Sequence, residues 1–121
     1  MASVAGRVTE ALDAVVTVRL VGGLAGPVEV ECAVDTAFNG YLVLPRSVID
    51  RLGLSILFHE KVTTVGGETS GADYTLAQVE WLGEVRRVEV IVKEDRLLGT
   101  ALLAGTHLSV DYVAGTVLIE G

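Results

Sequence analysis

Residues 34–45, VDTAFNGYLVLP, hold the side chains best suited by type and spacing to do chemistry. Asp35 follows an apolar, β-branched run, EVECAV, and the chain enters a second apolar run, YLVL, almost at once. A carboxylate carried in a tight loop between two strands can bond the backbone two residues on and simply shape the turn. Whether it does more than that depends on the rest of the chain. Thr36, Ala37 and Asn39 belong to the same loop. Further along stand a glycine-rich tip, Val65-Gly66-Gly67, and an apolar pair closed by glycine, Leu97-Leu98-Gly99.

The other reactive residues offer less. His59 lies mid-strand beside Glu60, and His107 lies near the start of a late strand. No HxH or HxxxH spacing joins them, so no metal site is expected. No serine sits in a G-x-S-x-G elbow. GGETSG lacks the lysine and the following helix of a phosphate loop. Cys32 is the one cysteine, which excludes a disulfide framework and a cysteine-based zinc site. In an apolar strand it reads as a small buried hydrophobe. No cofactor is expected.

Stepping outward, the elements that must position Asp35 are mostly strands. VEVECAVD alternates, with Val28, Val30, Cys32 and Val34 on one face and Glu29, Glu31, Ala33 and Asp35 on the other. Val16, Val18 and Leu20 form a similar apolar face earlier in the chain. PRSVIDRLGL reads as a short helix, with Pro45 in the first turn, Val48, Ile49 and Leu52 on one face, and Gly53 as its cap. ILFHEKVTTV and ADYTLAQVEW read as strands around the GGETSG tip, followed by VRRVEVIV after the LGE turn. KEDR is a charged loop, LLGTALLAG a strand end with a helical turn, and LSVDYVAGTVLIEG two strands around AGT.

The totals set bounds. The 121 residues fit a single domain, 1–121, with no linker or low-complexity tract. Fourteen glycines against two prolines, with valine and leucine dominant, favour many short strands separated by turns. The net charge is −7 and the longest basic cluster is Arg86-Arg87, so nucleic acid is not expected as a partner. The N-terminal stretch lacks the form of a signal peptide and no apolar run reaches membrane-spanning length. The expectation is a cytoplasmic protein with no membrane partner.

The order of these features resembles the retropepsin-like aspartic proteases, in particular the small single-domain bacterial type. The resemblance is carried by AVDTAFNGYLVLP, the tip VGGE, and RLLGTALLAGTHLSVDY, and spans the chain from about residue 15 onward. It implies an all-β fold, a closed β barrel of the acid protease type with one or two short helices. It implies a homodimer that hydrolyses peptide bonds through a water activated between two Asp35 carboxylates, one from each subunit. Thr36 would then bond across the dimer axis, and Ala37 would stand where glycine is commoner. Val65, Gly66 and Gly67 would form a flap tip over the substrate. Asn39 would bind substrate backbone, or serve only the turn. Leu97, Leu98 and Gly99 would brace the catalytic loop. The apolar closing segment TVLIEG is expected to be a free edge strand that pairs with the partner. Two rival readings stay open: a catalytically silent dimeric module that binds peptides or serves assembly, and a monomeric β domain in which Asp35 only shapes a turn.

Overall fold

The computed structural model describes residues 2–24, 26–63, 66–67 and 69–121. Ten strands and two short helices follow one another as β1 (Ser3–Val8), β2 (Ala14–Val21), β3 (Val28–Val34), β4 (Leu42–Leu44), α1 (Arg46–Leu52), β5 (Phe58–Thr63), β6 (Thr69–Trp81), β7 (Glu84–Val92), β8 (Leu97–Leu98), α2 (Thr100–Leu103), β9 (His107–Asp111) and β10 (Thr116–Glu120). The protein is all-β, as its sequence implies.

Alternation does most of the local work. In β2 the side chains of Val16, Val18 and Leu20 are buried, and Val28, Val30 and Cys32 of β3 face them across the antiparallel register Leu20↔Val28, Val18↔Val30 and Val16↔Cys32. β4 departs from this rule, because Leu42, Val43 and Leu44 are all buried. It lies inside the sheet, between β7 and β8, and is covered on both faces. Helix α1 buries Val48, Ile49 and Leu52 and stops at Gly53, whose φ of 70° is left-handed and whose N–H caps the Asp50 carbonyl. Pro45 is the N-cap of this helix rather than part of its first turn.

The strands hydrogen-bond in the order β5-β6-β7-β4-β8-β3-β2-β1-β10-β9. The far end of β6 returns to pair with β2, through Arg19↔Glu80, Leu20↔Val79 and Val21↔Gln78. That contact closes a ring from β6 through β7, β4, β8, β3 and β2. The ring is filled by one apolar cluster that includes Leu20, Leu42, Leu44, Val79, Val90, Leu98 and Leu102. Polar groups in it are satisfied. The Thr75 hydroxyl donates to the Ser55 carbonyl at 2.8 Å, and the Trp81 indole N–H donates to the Leu102 carbonyl at 3.1 Å, tying α2 to the end of β6.

The chain ends form an appendage of three strands, β1-β10-β9, joined to the ring through β1 and β2. This corrects the expectation for TVLIEG. β10 is not an edge: it pairs with β1 on one side and β9 on the other, within its own chain, and Val117 and Ile119 are buried there. The free edges of the sheet are β5 and β9. The Arg7–Glu31 ion pair at 3.0 Å links β1 to β3 across β2. Both side chains are more than half exposed, so strand pairing, not this bridge, holds β1 in place.

Cys32 lies in the core three residues before Asp35, and burial pushes its thiol up to about 12 from an ordinary value of 9.0. The native thiol should therefore resist iodoacetamide at pH 8 and react only on unfolding. The unfolded thiol ionises near 9.0 and the folded one near 12, so stability is intact below pH 9 and falls as pH rises between those values. Unfolding free energies from urea titrations between pH 8 and 10.5 should fall more steeply for the native chain than for Cys32→Ala, by up to about 1.4 kcal/mol per pH unit.

Candidate active site

The Asp35 loop is built around β8. Ala33 and Val34 of β3 pair in parallel with Leu97 and Leu98, while Leu42 and Val43 of β4 pair antiparallel with the same two residues. β8 thus lies between two strands that are consecutive in the chain, and the loop joining them crosses its end. Backbone bonds fix the crossing. Asp35 N–H donates to the Leu98 carbonyl at 2.9 Å, and Gly99 N–H to Tyr41 at 2.9 Å. Thr100 N–H donates to Phe38 at 2.9 Å, and Ala101 N–H to Gly40 at 3.1 Å. The Thr100 hydroxyl adds a second bond to the Phe38 carbonyl at 3.3 Å.

Gly99 makes this closeness possible. Its backbone is extended, with φ −100°, so the glycine is needed for space and not for conformation. A Cβ there would strike the Gly40 carbonyl and lie 2.7 Å from the Phe38 carbonyl oxygen, both of them backbone atoms pinned by the bonds above.

Within the loop, Ala37 N–H donates to Asp35 Oδ1 at 3.0 Å, and Phe38 N–H to the Asp35 carbonyl at 3.1 Å. Among the described residues no other hydrogen bond reaches this carboxylate, so Oδ2 is free for other chemistry. The half-buried Asp35 side chain opens onto a cleft of about 400 Å³. One side of the cleft is a row of three apolar residues in direct register, Leu97↔Val43 and Val43↔Ile91, from β8, β4 and β7. Ala37 and Phe38 of the loop and Lys93 and Asp95 of the β7–β8 connection complete the lining. A carboxylate beside an apolar row, open to one side, can hold a water or a carbonyl group against a proton donor.

The site residues named from sequence divide into groups. Asp35 and Ala37 line the cleft together. Thr36 and Asn39 are exposed on the same loop and do not line it. Gly66 and Gly67 stand at the end of the β5–β6 hairpin, with Gly67 at a left-handed φ of 81°, and they too are apart from the cleft lining. Val65 lies outside the described residues. Leu98 and Gly99 brace the loop as expected, whereas Leu97 faces the cleft. Sequence reasoning missed Val43, Ile91, Lys93 and Asp95. The alternation of VEVIVK carried a signal for two of them, because Ile91 and Lys93 fall on one face.

A family profile described as Aspartyl protease matches residues 15–106, from β2 through the turn after α2. No curated protein matches the chain at a significant level. The matched span contains the Asp35 loop, β8 and the whole closed ring.

If Gly99 is required for loop packing, Gly99→Ala should lower stability by about 1–3 kcal/mol, the cost of overpacking against atoms that cannot yield. Gly66→Ala, at a position with nothing within 4 Å, should stay within about 0.5 kcal/mol of the parent. Urea titrations of the two variants beside the parent measure both.

Proposed function

The chain belongs to the aspartyl protease family, since the match covers most of its length, and from that premise we propose that it is an endopeptidase whose catalytic centre is a pair of Asp35 carboxylates contributed by two copies. The observation that carries this reading is the free carboxylate oxygen of Asp35, held by a rigid loop at an open, apolar-sided cleft. A single such acid is half of the machinery. Two carboxylates brought close together resist double ionisation and share one proton. The ionised member then takes a proton from a bound water, which attacks the scissile carbonyl. The protonated member donates to the carbonyl oxygen as negative charge develops there. Titration belongs to the pair and not to either residue.

The topology supports a route to the dimer. β9 is one of two free edges, and it follows α2, whose first residues are bonded to the Asp35 loop. Antiparallel pairing of two β9 strands about a two-fold axis would hide both edges and set the Asp35 loops on the same side of the assembly. Thr36, exposed beside Asp35, is free to bond across that axis. The second reading, a silent peptide-binding dimer, is favoured by one feature: the Ala37 methyl lines the cleft where a smaller residue would leave more room.

Asp35→Asn should abolish hydrolysis of a peptide library while leaving a folded dimer by sedimentation. Binding of the same peptides with no hydrolysis by the native chain would favour the silent module. Activity should peak on the acid side of neutrality, because one carboxyl must stay protonated.

Mixing tests the shared site directly. If each centre needs one Asp35 from each copy, a tenfold excess of Asp35→Asn should cut native activity to roughly a tenth by forming mixed dimers. Dilution through the dimer dissociation constant should lower it more steeply than in proportion. Activity unchanged by the excess would place the whole centre in one chain.

A further inference from the structure

The apolar row of the cleft does not stop at Ile91. Ile91 is in register with Tyr74 of β6, and Tyr74 with Phe58 of β5, so the row continues across two more strands on the same face of the sheet. The two rings stack, with centroids 4.6 Å apart and planes within 7° of parallel. Phe58 ends the row and is 46% exposed, which leaves part of an aromatic ring open to a ligand. The charges on this face are mixed, with an acid on each side of the rings. Side chains two apart on a strand share a face, so Glu60 flanks Phe58, Glu89 and Lys93 flank Ile91 on its two sides, and Arg87 follows beyond Glu89. Burial first, then the nearby Glu60 and Glu89 carboxylates, raise the Tyr74 phenol above its usual range. His59, Asp73 and Arg46 form their own linked cluster on the opposite face. Lys93, on the Asp35 side of the row, lines the cleft.

We propose that the stacked pair Phe58–Tyr74, rimmed by Glu60 and Glu89, is a subsite for an arginine side chain of the peptide that fills the Asp35 cleft. The inference rests on the peptide-binding reading above and adds to it a substrate class. A guanidinium is flat, carries an apolar stem and stacks on an aromatic face while its edge donates to carboxylates, so it satisfies ring and rim together. The acidic balance of the chain, −7 overall, favours the approach of a basic peptide. Spacing sets the position. From Ile91 to Phe58 is two strand separations, about 10 Å, or about three residues of extended peptide. The arginine therefore lies about three residues from the side chain that occupies the cleft.

The test is an arginine scan through an apolar decapeptide, with glutamine, phenylalanine and glutamate at each scanned position. Cleavage by the native chain and binding to Asp35→Asn are both measured. At the third position out, arginine should raise kcat/KM, and affinity for Asp35→Asn, roughly fivefold to twentyfold over glutamine. The ratio should collapse towards one in Phe58→Leu and in Glu60→Gln, and shrink as salt is added. A flat scan, or a preference for phenylalanine or glutamate there, overturns the subsite and leaves the peptidase reading intact. Binding that depends on arginine and Phe58 without any cleavage upholds the subsite and removes the peptidase. Peptides neither cleaved nor bound sink both.

Discussion

β8 is two residues long, yet it is paired on both sides, in parallel with β3 and antiparallel with β4. Because β3 and β4 are joined directly, their connection has to pass over the end of the strand it encloses. The closeness of that crossing is limited by backbone atoms at Gly99, Gly40 and Phe38. Everything else in the ring serves this contact. Leu98 buries itself beneath it, α2 begins from it, and Trp81 fastens α2 to the longest strand. The carboxylate of Asp35 is thus positioned by main-chain bonds, whose geometry does not depend on rotamer choice.

Such rigidity suits an acid whose proposed work is to share a proton. A pair of carboxylates tolerates only small changes in separation before the shared state is lost. The apolar row of Leu97, Val43 and Ile91 lies beside the acid, and it limits how much water can screen charge there. The surface ion pairs are mostly half-exposed and contribute little to this arrangement.

Much of this could be read from the residues. Helix α1 announces itself by a proline, three apolar positions on one face and a glycine stop, all local signals. β2 and β3 are plain because one face is core and the other is solvent. The Asp35 loop was visible as a polar interruption between two apolar runs. β1 was not, because its inward positions, Val4, Gly6 and Val8, are only half-buried and one of them is glycine, which leaves a weak apolar signal in the residues. The cleft lining was hidden for a different reason. Val43, Ile91 and Leu97 meet only through the strand order, and pairing between distant segments leaves no mark on local pattern. TVLIEG misled because an apolar terminal strand looks the same whether its neighbours come from its own chain or another. Here both come from its own.

β6 has thirteen residues and changes partners along its length. Up to Ala72 it pairs only with β5; from Asp73 onward β7 lies beside it, and at Gln78 to Glu80 β2 holds its other side. Among the described residues the hairpin is therefore a cantilever, anchored to β7 at Asp73 and Tyr74 and paired only within itself before them. Load applied to its outer part reaches the ring through one continuous backbone rather than through a loop. At that anchor β6 is paired on both sides, and the stacked rings and the His59–Asp73–Arg46 cluster sit on its two faces. A ligand held at that root, on the subsite proposed above, would bear on strands anchored by β7, so the firmness of its grip would be set by the ring and not by the outer part of the hairpin.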